Sequence, residues 1–74
     1  MEGDDQLIPQ LQCDTELILT GPNVATLNKW AADALRKLAD RIEKEEFEDG
    51  HHEVKDNVGK SVGTIYVGYS GELI

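Results

Sequence analysis

From Leu11 to Thr20 the side chains alternate with a period of two. Leu11, Cys13, Thr15, Leu17 and Leu19 fall on one side, and Gln12, Asp14, Glu16, Ile18 and Thr20 on the other. Such alternation predicts a strand with one buried and one wet face. Gly21-Pro22-Asn23 ends it, and Asn23 is placed to cap a helix. From Val24 the apolar period becomes helical. Leu27, Ala31, Ala34, Leu35, Leu38 and Ile42 form one stripe, with Trp30 on its flank. The other face sets opposite charges four apart, Lys29 with Asp33, Asp33 with Lys37, Arg36 with Asp40 and Asp40 with Lys44. Each such pair adds only ~0.2–0.5 kcal/mol to a helix. Phe47 falls off the stripe, which predicts a helix end near Glu45 or Glu46, and Gly50 suits the reversal that follows.

Two strand-prone runs come next, His51 to Lys55 and Ser61 to Tyr69. The Asp, Asn and Gly between them predict a hairpin. Gly59, Gly63 and Gly68 predict a bulge or a close approach by another backbone. Met1 to Gln10 is polar, acidic and carries Pro9, so residues 1–10 read as a poorly ordered lead-in. Residues 71–74 read as a short tail, leaving 11–70 as a single domain. The order is strand, helix, strand, strand, and a crossover helix can return the chain to either sheet edge. Placing the Gly63–Tyr69 strand centrally gives the most apolar strand two neighbours and makes the sheet wholly antiparallel. The expected fold is therefore α+β and two-layered, a β-α-β-β unit with strand order 1-3-2 and one helix packed on one face.

Size and charge narrow the function. A chain of 74 residues buries only ~60% of the surface that its unfolded form exposes, so its core is marginal. Cys13 is the single cysteine. No disulfide can staple the fold, and a lone thiol fits a reducing compartment. No run approaches the ~18 apolar residues of a membrane span, and the first ten residues do not resemble a signal peptide. The expectation is a soluble protein of the cytoplasm. Fifteen acidic against seven basic residues give a net charge of −8. That charge repels nucleic acid and anionic membrane and attracts basic protein surfaces.

The candidate chemistry is sparse. His51 and His52 are adjacent, so on a strand they point to opposite faces and cannot share one ion. Asp49, His51 and Glu53 share a face if the strand begins early, but no His-x3-His or paired-Cys spacing supports a metal site. Gly59-Lys60-Ser61 imitates the end of a phosphate loop. It lacks the earlier glycine, where Val54 stands, and it precedes a strand instead of a helix. Cys13 lies on the apolar side of its strand, where a thiol is an inert small hydrophobe, and a Cys13–His52 pair lacks an orienting third group. The expectation is no enzyme, no cofactor and no metal.

The surface remains. The sheet face away from the helix is expected to gather Asp14, Glu16 and Ile18 from the first strand, His51 and Glu53 from the second, and Thr64 and Tyr66 from the third. Acidic groups around an aromatic and an aliphatic residue are expected to make a protein-binding face, with an ordinary solvated sheet face as the alternative, and Glu48 and Asp49 in the acidic Glu45–Asp56 segment adjoin it. If Ile18, Val62 and Tyr66 form one apolar patch, burial against a second copy explains it equally well.

Three motifs carry a resemblance: Leu35 to Glu43 (Leu-Arg-x-Leu-Ala-Asp-x-Ile-Glu), Gly50 to His52 (Gly-His-His after acidic residues) and Gly63 to Tyr66 (Gly-x-Ile-Tyr). Through them the run Ala34 to Ser70 resembles short uncharacterised proteins carried by bacteriophages and prophages. The resemblance transfers no catalytic residue. It implies an accessory protein acting inside a bacterial host cell, and by analogy one that inhibits or redirects a host defence or nucleic-acid-handling protein through charge mimicry. The expected partner is a host protein with a basic surface, not nucleic acid and not membrane. A small structural homodimer is the alternative, and a metal-dependent enzyme a more distant one.

Overall fold

The structure is a computed structural model that describes residues 7–73, with side-chain environments for residues 8–71. Its elements are β1 (Leu7–Leu17), α1 (Val24–Glu43), β2 (Gly50–Lys55) and β3 (Ser61–Leu73). The three strands form one antiparallel sheet in the order β1-β3-β2 with the helix as a second layer, the α+β arrangement that the pattern predicts. Among the described residues no helix is long and apolar enough to cross a membrane.

The helix begins where its cap is. Asn23 is extended, and its side-chain oxygen accepts the Thr26 N–H at 2.8 Å, satisfying one of the first-turn amides that the helix leaves unpaired. At the other end the chain turns through a left-handed residue. Glu46 N–H donates to the Arg41 carbonyl and Glu45 N–H to that of Ile42, both at 3.0 Å, the pairing of a Schellman cap. Its left-handed position, at φ 57°, is occupied by Glu45 and not by a glycine. A side chain there costs about 1–2 kcal/mol, partly offset by the greater unfolded freedom of glycine. Glu45→Gly is therefore expected to raise stability by ~0.5–1 kcal/mol. The check is a urea melt whose midpoint rises with its slope unchanged.

The core is small and centred on β3. Ile65 and Val67 are almost wholly buried, and Leu38, Phe47, Val54 and Val62 join them, with Leu17, Leu19 and Ile42 packed at the margin. Two of these placements correct the sequence reading. Leu35, assigned to the buried stripe, is 49% exposed. It stands ~60° around the helix from Leu38, which is enough to put it past the edge of so narrow a sheet. Phe47, assigned no packing role, is buried at 4% exposure. The Schellman turn folds it back beneath the helix end, where it meets the His52 ring at a centroid distance of 5.0 Å and the Arg41 guanidinium at 4.2 Å.

Val62 owes its burial to a bulge. Val54 pairs with Gly63 but Lys55 pairs with Ser61, so Val62 is an extra residue on β3. Released from strict alternation, it turns into the core beside Ile65 and Val67. The turn before it is held by Asp56, whose carboxylate accepts the Val58 N–H at 3.0 Å and the Lys60 N–H at 2.9 Å. Gly59 there has φ 86°, a conformation natural for glycine.

The strands are longer than expected at their outer ends. Residues 7–10, read as lead-in, and 71–73, read as tail, pair with each other, Pro9 facing Gly71 and Gln10 facing Ser70. Residues 1–6 and 74 lie outside the described residues. Pro9 does not break β1. Ile18 N–H donates to Val62, so by alternation the even residues of β1 bond β3 and the Pro9 nitrogen faces the open edge, where proline is tolerated. Beyond Gly50 and Val67 the sheet thus continues as a two-stranded ribbon of β1 and β3. Its β3 edge is blunted as well, because the Tyr69 N–H donates to the Asp49 carboxylate at 3.2 Å.

Candidate functional site: the uncovered sheet face

The register sets the candidate residues in two rows across the sheet. Asp14, Tyr66 and His51 are direct neighbours in one row, and Glu16, Thr64 and Glu53 in the next. Strand spacing places the outer members of each row ~10 Å apart and the rows ~7 Å apart. Three carboxylates therefore frame a half-buried tyrosine. Its ring meets that of His51 at a centroid distance of 4.9 Å, tilted by 51°. It also lies over Gly68, where any Cβ would come within 2.7 Å of the Tyr66 hydroxyl. The missing side chain at Gly68 is what lets the ring lie down along the sheet. Gln12 donates to Asp14 at 2.9 Å, and Lys55 reaches Glu53 at 3.7 Å. Between β1 and Tyr66 is an open depression of about 400 Å³, lined by Asp14, Glu16, His51, Thr64 and Tyr66 among others.

Asp14, Glu16, His51, Glu53 and Tyr66 are thus brought together on one face. Ile18 is not. It lies just past the last ladder pair of β1, its N–H bonded to the bulged Val62, and it lines a groove between α1 and the β2–β3 turn. The patch of Ile18, Val62 and Tyr66 does not form, because the bulge buries Val62 on the helix side while Tyr66 lies on the other. Glu48 and Asp49 lie just before β2 at the sheet edge, Glu48 engaged through its main chain and Asp49 through its carboxylate. The Glu48 carbonyl accepts the Nε2–H of His52, and the Asp49 carboxylate holds the Tyr69 amide. Asp49 is thereby turned to the ribbon edge, apart from the row that holds His51. No group of three or more His, Cys, Asp or Glu side chains able to hold a metal ion occurs among the described residues.

Two histidines one residue apart meet different neighbours. His51 faces water beside Tyr66, and His52 is half-buried against Phe47. Cys13 lies on the helix side of β1 as predicted but is exposed and not packed among leucines, because the buried cluster is centred on β3 and includes no residue of β1 before Leu17. Sequence reasoning missed one connection altogether: the Lys37 ammonium donates to the side-chain oxygen of Asn57, tying α1 to the hairpin turn. Comparison with protein-family models, with curated proteins and with solved structures finds no match to this chain.

Proposed function

We propose that the chain is a non-enzymatic acidic binding protein that docks a basic surface of another protein on its uncovered sheet face. In keeping with the resemblance in Ala34–Ser70, the partner would be a host protein inside a bacterial cell, inhibited or redirected by an accessory protein of phage origin. The observation that carries this reading is the pair of cross-strand rows. They hold Asp14, Glu16 and Glu53 around a tyrosine whose ring is seated by Gly68 and His51. Carboxylates steer a cationic partner, and a packed aromatic ring slows its departure. The same carboxylates stand on an open face, whereas general acid–base work calls for an enclosed cleft.

The test is capture of partners from a bacterial lysate at low and high salt. Reversing Asp14 and Glu16 to Lys is expected to leave the melting curve within ~0.5 kcal/mol of the parent. It should weaken capture and flatten its salt dependence, while Tyr66→Ala should raise the off-rate. Equal capture by parent and both variants would refute the proposal.

A second reading, the homodimer, has its own observation. The two-stranded ribbon exposes Leu11 and Tyr69 as direct cross-strand neighbours, and an isolated pair of strands is marginal in water. A second copy packed on that face of the ribbon would cover the pair. Sedimentation of the parent protein separates the readings, since only this one requires a dimer at micromolar concentration.

A further inference from the structure

On the opposite side of the molecule, between the middle of α1 and the β2–β3 turn, runs a groove of about 340 Å³. Three exposed apolar side chains converge on it, Ile18 at 71% exposure, Val58 at 87% and Trp30 at 43%. Three lysines line it too, Lys37, Lys55 and Lys60, in a chain with only seven basic residues and a net charge of −8. The two carboxylates at the groove are already engaged. Asp33 accepts from Arg36 at 3.1 Å and pairs with Lys29 at 3.4 Å, and Asp56 is bound to the amides of its own turn. Lys37 meets only the neutral amide of Asn57, and Lys60 makes no ion pair among the described residues. The groove is mostly apolar, its three lysines outnumber its two carboxylates, and Lys37 and Lys60 stand at its rim outside any ion pair among the described residues.

Trp30 is held ready in the groove wall. The chain leaving β1 passes so near the indole that a Cβ on Gly21 would lie 2.9 Å from its ring and 3.1 Å from Leu27. A fixed aromatic wall reduces the ordering cost of binding. We infer that this groove is a docking site for an acidic peptide segment of another protein, with an aliphatic side chain against Ile18, Trp30 and Val58 and flanking carboxylates on Lys37 and Lys60. Complementary charge selects that partner. A basic segment would meet the lysines, and a neutral apolar one would leave them unpaired. The protein then has two faces of opposite preference, the acidic sheet face for a basic surface and this groove for an acidic segment.

Trp30 is the only tryptophan, so its fluorescence reports the groove directly. The probes are three blocked hexapeptides: Glu-Asp-Leu-Leu-Asp-Glu, the same peptide with serines for leucines, and its counterpart with lysines for the acidic residues. The acidic leucine peptide is expected to give a saturable change in Trp30 emission that weakens as NaCl is raised. The serine and lysine peptides should bind at least about tenfold more weakly. Lys60→Glu and Val58→Ser alter exposed side chains of the turn, so they should melt like the parent and lose about tenfold in affinity. Reversing Asp14 and Glu16 to Lys should leave peptide binding unchanged, which separates this site from the sheet face. An absent response, an equal response to the lysine peptide, or loss of binding on reversing Asp14 and Glu16 would overturn the inference. So would a peptide-free, concentration-dependent change in Trp30 emission accompanied by a dimer in sedimentation, which would make a second copy the occupant.

Discussion

Gly63→Ala is expected to cost about 3 kcal/mol or more, at the upper end of what overpacking does. Gly63 pairs with Leu17 on one side and Val54 on the other, next to the Val62 bulge. A Cβ there would lie 1.9 Å from the Glu16 carbonyl oxygen and 3.0 Å from the Leu17 Cα. Those are backbone atoms of a paired strand, so nothing flexible can give way. The strands would have to part where the end of β1 meets the core margin through Leu17, with Leu19 just beyond it. A domain of this size has little stability in reserve, and most of the population should be unfolded at room temperature by circular dichroism. Gly68→Ala is the contrasting case, because the atoms it would meet belong to the Tyr66 side chain, which can swing away. An intact, cooperative melt for Gly63→Ala would mean that β1 and β3 do not approach as described.

Leu38→Ala is expected to cost ~2–5 kcal/mol, the range for emptying a buried leucine site. Leu38 is the one buried residue of α1, at 4% exposure, and it is the point at which the helix closes the cluster of Val54, Val62, Ile65 and Val67. Leu35→Ala, on the same helix and with the same chemistry, should cost much less because Leu35 is already half in water. The pair of variants isolates the facing of the helix from its propensity, since both replacements put the best helix former in place of leucine. Similar denaturation midpoints for the two would show that the helix does not pack through Leu38.

Alternation from Leu11 to Leu17, the switch to a helical period at Val24 and the Asn23 cap are local signals, and each is realised where the sequence places it. The strand order follows from them with one further step, because the most apolar strand gains most from two neighbours. With that order, residue parity alone assigns Asp14, Glu16, His51, Glu53 and Tyr66 to one face. These features were legible because they depend on neighbours a few residues away and on one count of strands.

Tertiary structure decided what depends on distant partners. Pro9 is no breaker once β3 lies on the other side of β1, and residues 7–10 become strand only because residues 70–73 are there to pair with them. Phe47 enters the core because Glu45 takes a left-handed turn that no glycine announced. Val62 turns inward, and Ile18 leaves the acidic face, because a single inserted residue and the end of pairing cancel the parity on which the sequence reading relied. Leu35 is exposed because the sheet is only three strands wide, a limit that a helical period cannot express. The lysine-rimmed groove has the same origin, since Ile18, Trp30 and the Val58–Lys60 turn come from three separate segments and acquire a common chemistry only when the helix crosses the hairpin turn.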